Sequence, residues 1–408
     1  MSEYQLYTLP NGIRIAHKQV THTKIVHCGI MLDIGSRDEQ PHQAGLAHFW
    51  EHMAFKGTKK RKAYHIINSL EAVGGELNAY TTKEKICFYA SILDNYFEKA
   101  IDLLTDITFN SVFPEKQLEV ERGVILEEMS MYLDSPEDAI QDEFDTVVFP
   151  NHQLGVNILG TVESVKAFTR EDFQEFIDEN LDTEKIVVSV VGNLDFKKVV
   201  SVAQKFLNDI PFKKTTRQRI SPLEYTAKEE VVEKSNNQAH VAIGRPSFAL
   251  NHPSRLPFFA LVNLLGGPGM NSRFNLSLRE KHGLVYQIEA SYTSYLDTGM
   301  FAIFFGTDPQ NLNKSLKLVD KELYNLKNKS LGQIQLKTLK EQLKGQLAMS
   351  EESKQGYMLM MAKSLLDLDR VETIVKIFDD IDNIKNPVLM DLANEMFDSS
   401  LLSRMIYK

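Results

Sequence analysis

The sequence is poor in cysteine. Only two of its 408 residues are cysteines, Cys28 and Cys87, and two cysteines cannot build a disulfide framework or a cysteine-rich zinc module. Two buried thiols are the ordinary state of so few cysteines in a reducing compartment. The N-terminal residues 1–7 carry an acid at Glu3 and have no apolar signal core. Together these features predict a cytoplasmic protein.

Basic residues and long apolar runs are also scarce. The 46 Lys and Arg are outnumbered by 55 Asp and Glu, which gives a formal net charge of −9. This acidity argues against the positive surface that a nucleic-acid-binding protein needs. No apolar run approaches the roughly 20 residues of a membrane-spanning helix. We therefore expect neither nucleic acid nor a membrane among the partners of this chain.

What the sequence does contain is two similar halves. In the first half, residues 86–93 have strand composition, and a helical pattern follows from Asp94. In the second half, residues 300–307 have strand composition, and a helix is expected to open at Asp308-Pro309. A further strand is predicted before each of these units, at 76–82 and 285–293, and another at the close of each half, at 184–191 and 403–407. This repetition predicts two homologous domains.

The predicted fold class is α+β. Runs of strands are interleaved with runs of helices, and strict βαβ alternation is rare, which favours mainly antiparallel sheets with helices packed on one face. The polar, basic segment 214–225 is the best candidate linker, because it is rich in Lys and Arg and contains a proline. We accordingly predict one domain at 1–213 and a second at 226–408.

The sharpest motif is His48-Phe49-Trp50-Glu51-His52. The apolar positions around it follow a helical period, so His48 and His52 are neighbours one turn apart and Glu51 projects from the same face. Two imidazoles one turn apart can hold one zinc ion, and an adjacent carboxylate can accept a proton from water. The alternative to a zinc site is a solvated helix face with two unrelated histidines. The apolar residues around the motif predict instead a mostly buried helix.

A hydrolytic zinc site usually needs a third protein ligand. The richest acidic helix is predicted after Pro114, where Glu121 and Glu128 lie two turns apart on one face. Glu127 is rotated by about 100° from Glu128. Any of these carboxylates could instead be a solvated surface group, the usual fate of glutamate on a helix. Spacing alone does not choose between Glu127 and Glu128.

The motifs as a set resemble one protein family. The His-x-x-Glu-His order is the inverzincin order, and it is accompanied by GSRDE at 35–39, MAFKGT at 53–58, GGELNA at 74–79 and NSRFNLSLREKHGLVY at 271–286. The chain resembles the pitrilysin-type zinc metallopeptidases over nearly its whole length. It is most similar to small bacterial members and to the catalytic subunit of mitochondrial processing peptidase.

This resemblance implies a set of roles. Its E-R-x-V-I-L-x-E pattern makes Glu121 a supporting acid and Glu128 the third ligand, beside His48 and His52, of one zinc ion per chain. Glu51 is then the general base. The expected function is a zinc-dependent endopeptidase that hydrolyses peptides or unfolded polypeptide segments inside a closed chamber. The resemblance gives Glu127 no role.

The resemblance also implies residues that grip a peptide substrate. The segment containing Asn78 and Ala79 is expected to be an edge strand that pairs with the substrate backbone. Arg279 and Tyr286 are expected to hold the substrate carbonyl and stabilise the oxyanion opposite the metal. From the residues alone, Asn78 could instead mark a strand kink, and a surface arginine and a core tyrosine would be the favoured interpretation of Arg279 and Tyr286.

The family implies that one chain is half of a working chamber. Relatives use four homologous domains, whereas this chain supplies two, so we expect a homodimer whose active site is completed in trans by Arg279 and Tyr286 of the partner copy. Two alternatives remain open. The chain could be a catalytically silent scaffold, or it could be a peptide-binding subunit whose metal is only structural.

Overall fold

The computed structural model describes residues 4–234 and 237–408. Glu3, on which part of the cellular-location prediction depends, lies outside these residues. The strands are β1 (Gln5–Thr8), β2 (Arg14–Gln19), β3 (Ile25–Leu32), β4 (Glu76–Thr81), β5 (Ile86–Leu93), β6 (Ile186–Gly192), β7 (Glu229–Val232), β8 (Ala239–Ser247), β9 (Val285–Ser294), β10 (Gly299–Thr307) and β11 (Ser403–Tyr407). The predicted strands therefore coincide with β4, β5, β6, β9, β10 and β11 to within two residues at each end.

Helices fill most of the remaining sequence. They are α1 (Leu46–Ala54), α2 (Ala63–Glu71), α3 (Phe97–Phe109), α4 (Glu115–Leu133), α5 (Pro136–Val148), α6 (Val162–Ala167), α7 (Arg170–Asn180), α8 (Phe196–Leu207), α9 (Arg255–Gly266), α10 (Leu312–Asn328), α11 (Gln333–Glu351), α12 (Lys354–Leu368), α13 (Ile374–Asp382) and α14 (Asn386–Met396). A π-helical turn covers Asn275–Glu280. No helix in 4–234 or 237–408 is both long and apolar enough for a membrane span.

The two sheets share one topology. The first has the order β1-β2-β6-β3-β5-β4, and the second has the order β7-β11-β8-β10-β9. If β1 is left out and the five remaining strands of each sheet are numbered in chain order, the two sheets have the same strand order. In each sheet the first and last strands of that numbering pair in parallel, and every other pair is antiparallel. The structure confirms two similar α+β units with mainly antiparallel sheets.

Each sheet is covered on both faces, which differs from the one-sided packing predicted from the sequence. In the first sheet, Ile30 and Val188 point into the main core, whereas Met31 and Val187 point into a second cluster with α12. The second sheet repeats this pattern, with its other face covered by α5. The physical reason is visible in β6, where all seven residues are buried. A strand buried on both faces loses the apolar–polar alternation of a half-exposed strand.

The covering helices also alter the predicted domain boundaries. The first compact unit runs through Met129 and includes Val156–Arg219 and Met349–Val371, while the second contains Ser130–Gly155, Ile220–Ala348 and Glu372–Lys408. Each unit thus takes one helical segment from the other half of the sequence, α12 in the first and α5 in the second. A division into contiguous halves misses this exchange, because apolar helix faces do not say which sheet they cover.

Most of the predicted linker is anchored within the first unit. Arg219 pairs with Asp33 at 2.9 Å and with Asp38 at 2.8 Å, and Arg217 pairs with Asp38 at 3.0 Å. All four side chains are largely buried. The segment up to Arg219 therefore belongs to the first unit, and the chain enters the second unit at Ile220.

Candidate metal centre

The candidate site is built on helix α1, which the core holds from one side. Phe49, Trp50 and Met53 are fully buried in the main cluster of the first unit. The helix begins after Gly45, whose φ of +96° favours glycine. Glycine offers no capping side chain, and the carboxylate of Glu39 takes that role: it accepts hydrogen bonds from the backbone N–H groups of Gly45 at 3.0 Å and Ala47 at 2.8 Å. The apolar face and this cap together fix the opposite, polar face of α1.

Three ligand-type side chains converge on that polar face. His48 Nε2 lies 3.8 Å from Glu128 Oε1, and His52 Nε2 lies 3.6 Å from Glu128 Oε2. The two imidazole rings are 4.6 Å apart between centroids. Within 4–234 and 237–408, this is the only group of three His, Cys, Asp or Glu residues whose ligand atoms all lie within 4.8 Å of one another.

The donor set fits a zinc ion. Ligands at about 2.0–2.2 Å around a tetrahedral zinc are separated from one another by roughly 3.3–3.5 Å, close to the two nitrogen–oxygen distances here. Burial lowers the pKa of His48 to about 3, with a further contribution from neighbouring His52, so His48 is neutral at pH 7 and its nitrogen lone pair can bind a metal. Two imidazole nitrogens and one carboxylate oxygen are ordinary zinc ligands.

The structure also separates the two glutamates that sequence spacing left open. Glu128, on α4, faces both histidines, whereas its neighbour Glu127 is exposed. Two turns earlier, buried Glu121 lies with Oε2 3.3 Å from His52 Nδ1. Lys56 contacts the other oxygen of Glu121 at 2.6 Å. A hydrogen bond from Nδ1–H to Glu121 fixes the His52 tautomer that leaves Nε2 free to bind a metal.

Glu51 lies on the same helix face and is oriented by a strand. Thr81 Oγ1, at the end of β4, donates a hydrogen bond of 2.6 Å to Glu51 Oε2. Burial raises the pKa of Glu51 above its ordinary value, and this increase is opposed by the Thr81 hydrogen bond and by His52. Among the described residues, the other oxygen of Glu51 has no hydrogen-bond partner. That oxygen is available to accept a proton.

The predicted substrate-binding segment lies at the edge of the first sheet. Strand β4 pairs only with β5 in the strand order of the described residues. Leu77 and Ala79 pack against the main core, and Thr81 follows them on the same side of the strand. Asn78 alternates to the other side, and both Asn78 and Ala79 are adjacent to the free edge of β4. This edge has unpaired backbone groups of the kind that bind extended peptides.

Arg279 and Tyr286 lie in the second unit, on the π-helical turn and on β9 respectively. The Arg279 guanidinium carbon lies 5.6 Å from the centroid of the Tyr286 ring. Tyr286 is 82% exposed. It is therefore not a core tyrosine, the non-functional alternative considered from the sequence. The structure thus brings the two residues together on an accessible surface of their own unit.

Comparison with known proteins places this chain in a family. Residues 14–162 match the family model described as insulinase, peptidase family M16, and residues 167–343 match the model described as the peptidase M16 inactive domain. A Bacillus subtilis (strain 168) protein named an uncharacterised zinc protease is 32% identical over 391 residues, which is 96% of this chain and 95% of the relative. The chain belongs to peptidase family M16.

Other M16 relatives agree with this assignment. A Streptomyces coelicolor protein, also named an uncharacterised zinc protease, is 35% identical over 366 residues, covering 88% of this chain and 80% of the relative. Two solved structures have the same fold. A Helicobacter pylori protease matches with a TM-score of 0.93 at 22% identity over 100% of both chains, and a Pseudomonas fluorescens structure described as a peptidase M16 inactive domain matches with 0.91 at 17% identity, over 99% of this chain and 97% of that one. The predicted family resemblance is confirmed.

Three residues whose contacts position the candidate site were missed by the sequence analysis. Thr81 could have been found, because it shares a strand face with Ala79 beside the metal helix. Lys56 lies one helical turn beyond His52, a spacing that signals possible contact with the same partner. Glu39 had no such signal, since it lies six residues before Gly45 in an irregular segment and only the folded loop brings its carboxylate to the helix start.

Proposed function

We propose that this chain is a zinc-dependent endopeptidase that cleaves peptides or unfolded polypeptide segments. The observation that carries the proposal is the convergence of His48, His52 and Glu128 beside Glu51, whose carboxylate is oriented by Thr81. Membership of a family with relatives named as zinc proteases supports the same conclusion. One zinc ion per chain would be held by His48, His52 and Glu128.

Zinc in this position would supply a Lewis acid that lowers the pKa of a water toward about 7. The chain's own contribution starts at Glu51. Its oxygen without a hydrogen-bond partner accepts the proton of the attacking water and later returns it to the departing amine nitrogen. Thr81 holds the other oxygen, so the carboxylate does not have to reorient between the two transfers. Glu121, itself paired with Lys56, keeps the His52 ring in position.

Substrate binding is proposed for two surfaces. The edge of β4 around Asn78 and Ala79 would pair with the backbone of an extended peptide, which binds many sequences with little side-chain selectivity. Arg279 and Tyr286 would donate hydrogen bonds to the substrate carbonyl as negative charge develops on it. The pairing of their side chains on an exposed surface supports a joint role.

We further propose that two copies of the chain form a homodimeric chamber. In this arrangement, Arg279 and Tyr286 of one copy serve the metal site of the other. The support is the family resemblance together with the duplicated topology, which gives each chain two of the four similar domains expected in a chamber. Peptidase activity that falls on dilution, in step with the dimer measured by analytical ultracentrifugation, would support the arrangement. Full activity of a monomer would contradict it.

The proposed function is tested by metal content and cleavage together. The purified full chain should contain about one zinc per chain and should cleave an unstructured fluorogenic peptide, and a chelator should abolish cleavage. In Glu51→Gln, zinc should remain while cleavage falls by about 10²- to 10⁴-fold, because only the general base is lost. Zinc without cleavage in the parent chain would favour a structural metal. Neither zinc nor cleavage would favour a silent scaffold.

A further inference from the structure

The two helices that carry the candidate metal ligands are packed against the core to different extents. In α1, seven of the nine residues are buried. In α4, four of the 19 residues are buried, namely Leu118, Glu121, Ile125 and Met129. Because tertiary packing supplies most of the stability of a helix in a protein, the core holds His48 and His52 more firmly than it holds Glu128. The position of α4 therefore depends on further contacts.

Arg122 makes the most extensive polar contact of α4. Its side chain is 12% exposed. The guanidinium donates one hydrogen bond from Nη1 to the Val165 carbonyl and another from Nη2 to the Phe168 carbonyl, the second at 2.8 Å. It also lies 3.1 Å from Glu119 on the same helix, but the Glu119 side chain is 70% exposed, and exposed ion pairs contribute little. The contacts with the two carbonyls are therefore the ones that can hold α4.

Both carbonyls belong to the corner between α6 and α7, residues 165–173. Helix α6 ends at Ala167, and Phe168 leaves the helical conformation with ψ of 133°. The last carbonyls of a helix have no partner within that helix, and a cation is favoured beside them. A guanidinium suits this place because its planar fork of donors can reach two carbonyl oxygens at once. Arg122 thus attaches α4 to the corner.

The same corner is attached to α1. The ring centroid of Phe49, the residue after His48, lies 6.2 Å from that of Phe168 and 5.3 Å from that of Phe173. In α6, Ser164 Oγ donates a hydrogen bond of 2.6 Å to the Ala44 carbonyl, directly before the start of α1. The corner and the end of α6 therefore contact α1 at its first residues and beside its first histidine.

The start of α4 is held on the corner as well. Phe113, two residues before α4, is 2% exposed and has a φ of +47°, a conformation that bulky residues rarely adopt. Its ring stacks on Phe173 with a centroid distance of 4.8 Å. A strained backbone of this kind persists only where the surrounding structure enforces it. Phe173 thus packs against Phe49 of α1 and against the residue that leads into α4.

We propose that Arg122 is a positioning residue of the metal centre. By binding the carbonyls of Val165 and Phe168, it holds α4 on the corner that also packs against α1, and this sets the separation at which Glu128 faces the two histidines. Glu128 lies six residues beyond Arg122, about 9 Å along the helix, so a displacement of α4 at Arg122 reaches Glu128. The inference rests on the proposed function, because its consequence concerns zinc bound by these ligands.

The test measures zinc affinity of the full chain by competition with a fluorescent zinc chelator. Arg122→Ala should weaken zinc binding about tenfold, the lower end of the range for groups that orient metal ligands. Arg122→Lys should weaken it less, since an ammonium keeps the charge but lacks the fork. Methylguanidinium added to Arg122→Ala should restore part of the affinity, and methylammonium at the same concentration should restore less. Equal zinc affinity in the parent chain and Arg122→Ala would overturn the proposal.

Hydrogen–deuterium exchange of the zinc-free chains separates positioning from general stability. In Arg122→Ala, exchange should rise in α4 and stay unchanged in α1 and β3. Exchange that rises equally throughout the first unit, with an affinity that methylguanidinium does not restore, would overturn the positioning role. The measurement needs no bound metal and no turnover.

Two variants serve as matched controls. Glu119→Gln removes the ion-pair partner of Arg122 and keeps both carbonyl contacts, so zinc affinity should not change; a loss as large as that of Arg122→Ala would overturn the proposal. Arg170→Ala removes an exposed cation at the start of α7 and should also leave the affinity unchanged. A parent chain that binds no zinc would overturn the proposed function and this inference together. A parent chain that binds zinc no better than Arg122→Ala would overturn this inference alone.

Discussion

Helices α1 and α9 occupy the same place in two copies of one topology. Each connects the second and third strands of its five-stranded arrangement, β3 to β4 in the first unit and β8 to β9 in the second. Both bury apolar residues in the core of their own unit. They differ in the remaining face: α1 has two histidines and a glutamate, whereas the sequence of α9, RLPFFALVNLLG, has neither histidine nor an acid.

This difference shows that the shared topology alone does not create the candidate metal site. The shared topology places a helix beside an edge strand in both units, but a metal centre also needs a second ligand-bearing helix, and only the first unit has the glutamates of α4 beside its helix. The second unit has Arg279 and Tyr286 on other elements, the π-helical turn and β9. A duplicated fold can therefore carry different polar side chains in its two copies, and substitutions in α1 and α9 test this difference.

The largest expected effect comes from removing a proposed metal ligand from α1, compared with removing a polar side chain from the equivalent helix α9. His52→Ala on α1 removes one of three proposed ligands, so bound zinc should fall from about one per chain to near zero, and peptide cleavage should fall with it. Asn263→Ala on α9 removes a buried polar side chain at the equivalent helix and should leave zinc content unchanged. Metal analysis and peptide cleavage measure both. Full zinc occupancy in His52→Ala would contradict the assignment.

The next largest effect concerns the helices that cover the second face of each sheet. Phe144→Ala in α5 and Met358→Ala in α12 remove fully buried side chains, and we expect losses of about 3–5 and 2–5 kcal/mol of local stability respectively. Hydrogen–deuterium exchange should rise in β8 and β10 for the first variant and in β3 and β6 for the second. Met360→Ala, a more exposed position on α12, is the control. An effect of Met358→Ala no larger than the control's would argue against the covering role.

A smaller effect is expected from the carboxylate behind the metal ligand. Glu121→Gln weakens the contact that orients His52, and zinc affinity should fall by about 10- to 100-fold. Competition with a fluorescent zinc chelator gives the affinity. Glu127→Gln on the same helix is the matched control, because Glu127 is exposed and is rotated by about 100° from Glu128 around the helix. If both variants bind zinc equally well, Glu121 is not a positioning residue.

The sequence predicted the parts of the fold that depend on local periodicity. Strands such as 86–93 and 403–407 coincide with β5 and β11, since apolar runs bounded by capping or turn residues encode their own limits. The exchange of α5 and α12 between halves was not predicted, because it is decided by which sheet face each apolar helix covers. The full burial of β6 was the available signal for two-sided packing.

Part of the candidate site could likewise be predicted from the sequence, and part could not. His48, Glu51 and His52 lie on one helix, so their proximity follows from helix geometry alone. The pairing with Glu128 joins elements far apart in sequence and needed the family resemblance before the structure placed the two together. Thr81 and Glu39 act through a strand end and an irregular loop, and the positions of such groups depend on tertiary packing that periodicity does not describe.

The smallest predicted effect is a pH dependence to which buried His17, in the first unit, contributes. His17 on β2 is fully buried, with its ring nitrogens 3.0 Å from the Val190 carbonyl and 2.9 Å from the Leu194 carbonyl. Burial lowers the pKa of His17, although the two carbonyls oppose the shift. The folded chain therefore resists protonation that the unfolded chain accepts below its ordinary pKa of about 6.5, so stability is present above that pH and is lost as the pH falls.

Urea unfolding at pH 7 and pH 5.5 measures this loss. For one histidine it cannot exceed about 1.4 kcal/mol per pH unit, and His27 and His240, whose pKa values are also lowered by burial, add their own shares. His17→Gln should reduce the loss without abolishing it, while His22→Gln, at an exposed position, should not change it. The corresponding strand β7 contains no histidine. An unchanged pH dependence in His17→Gln would show that burial and the two carbonyls cancel at this position, and a larger loss in the variant would show that the carbonyls dominate.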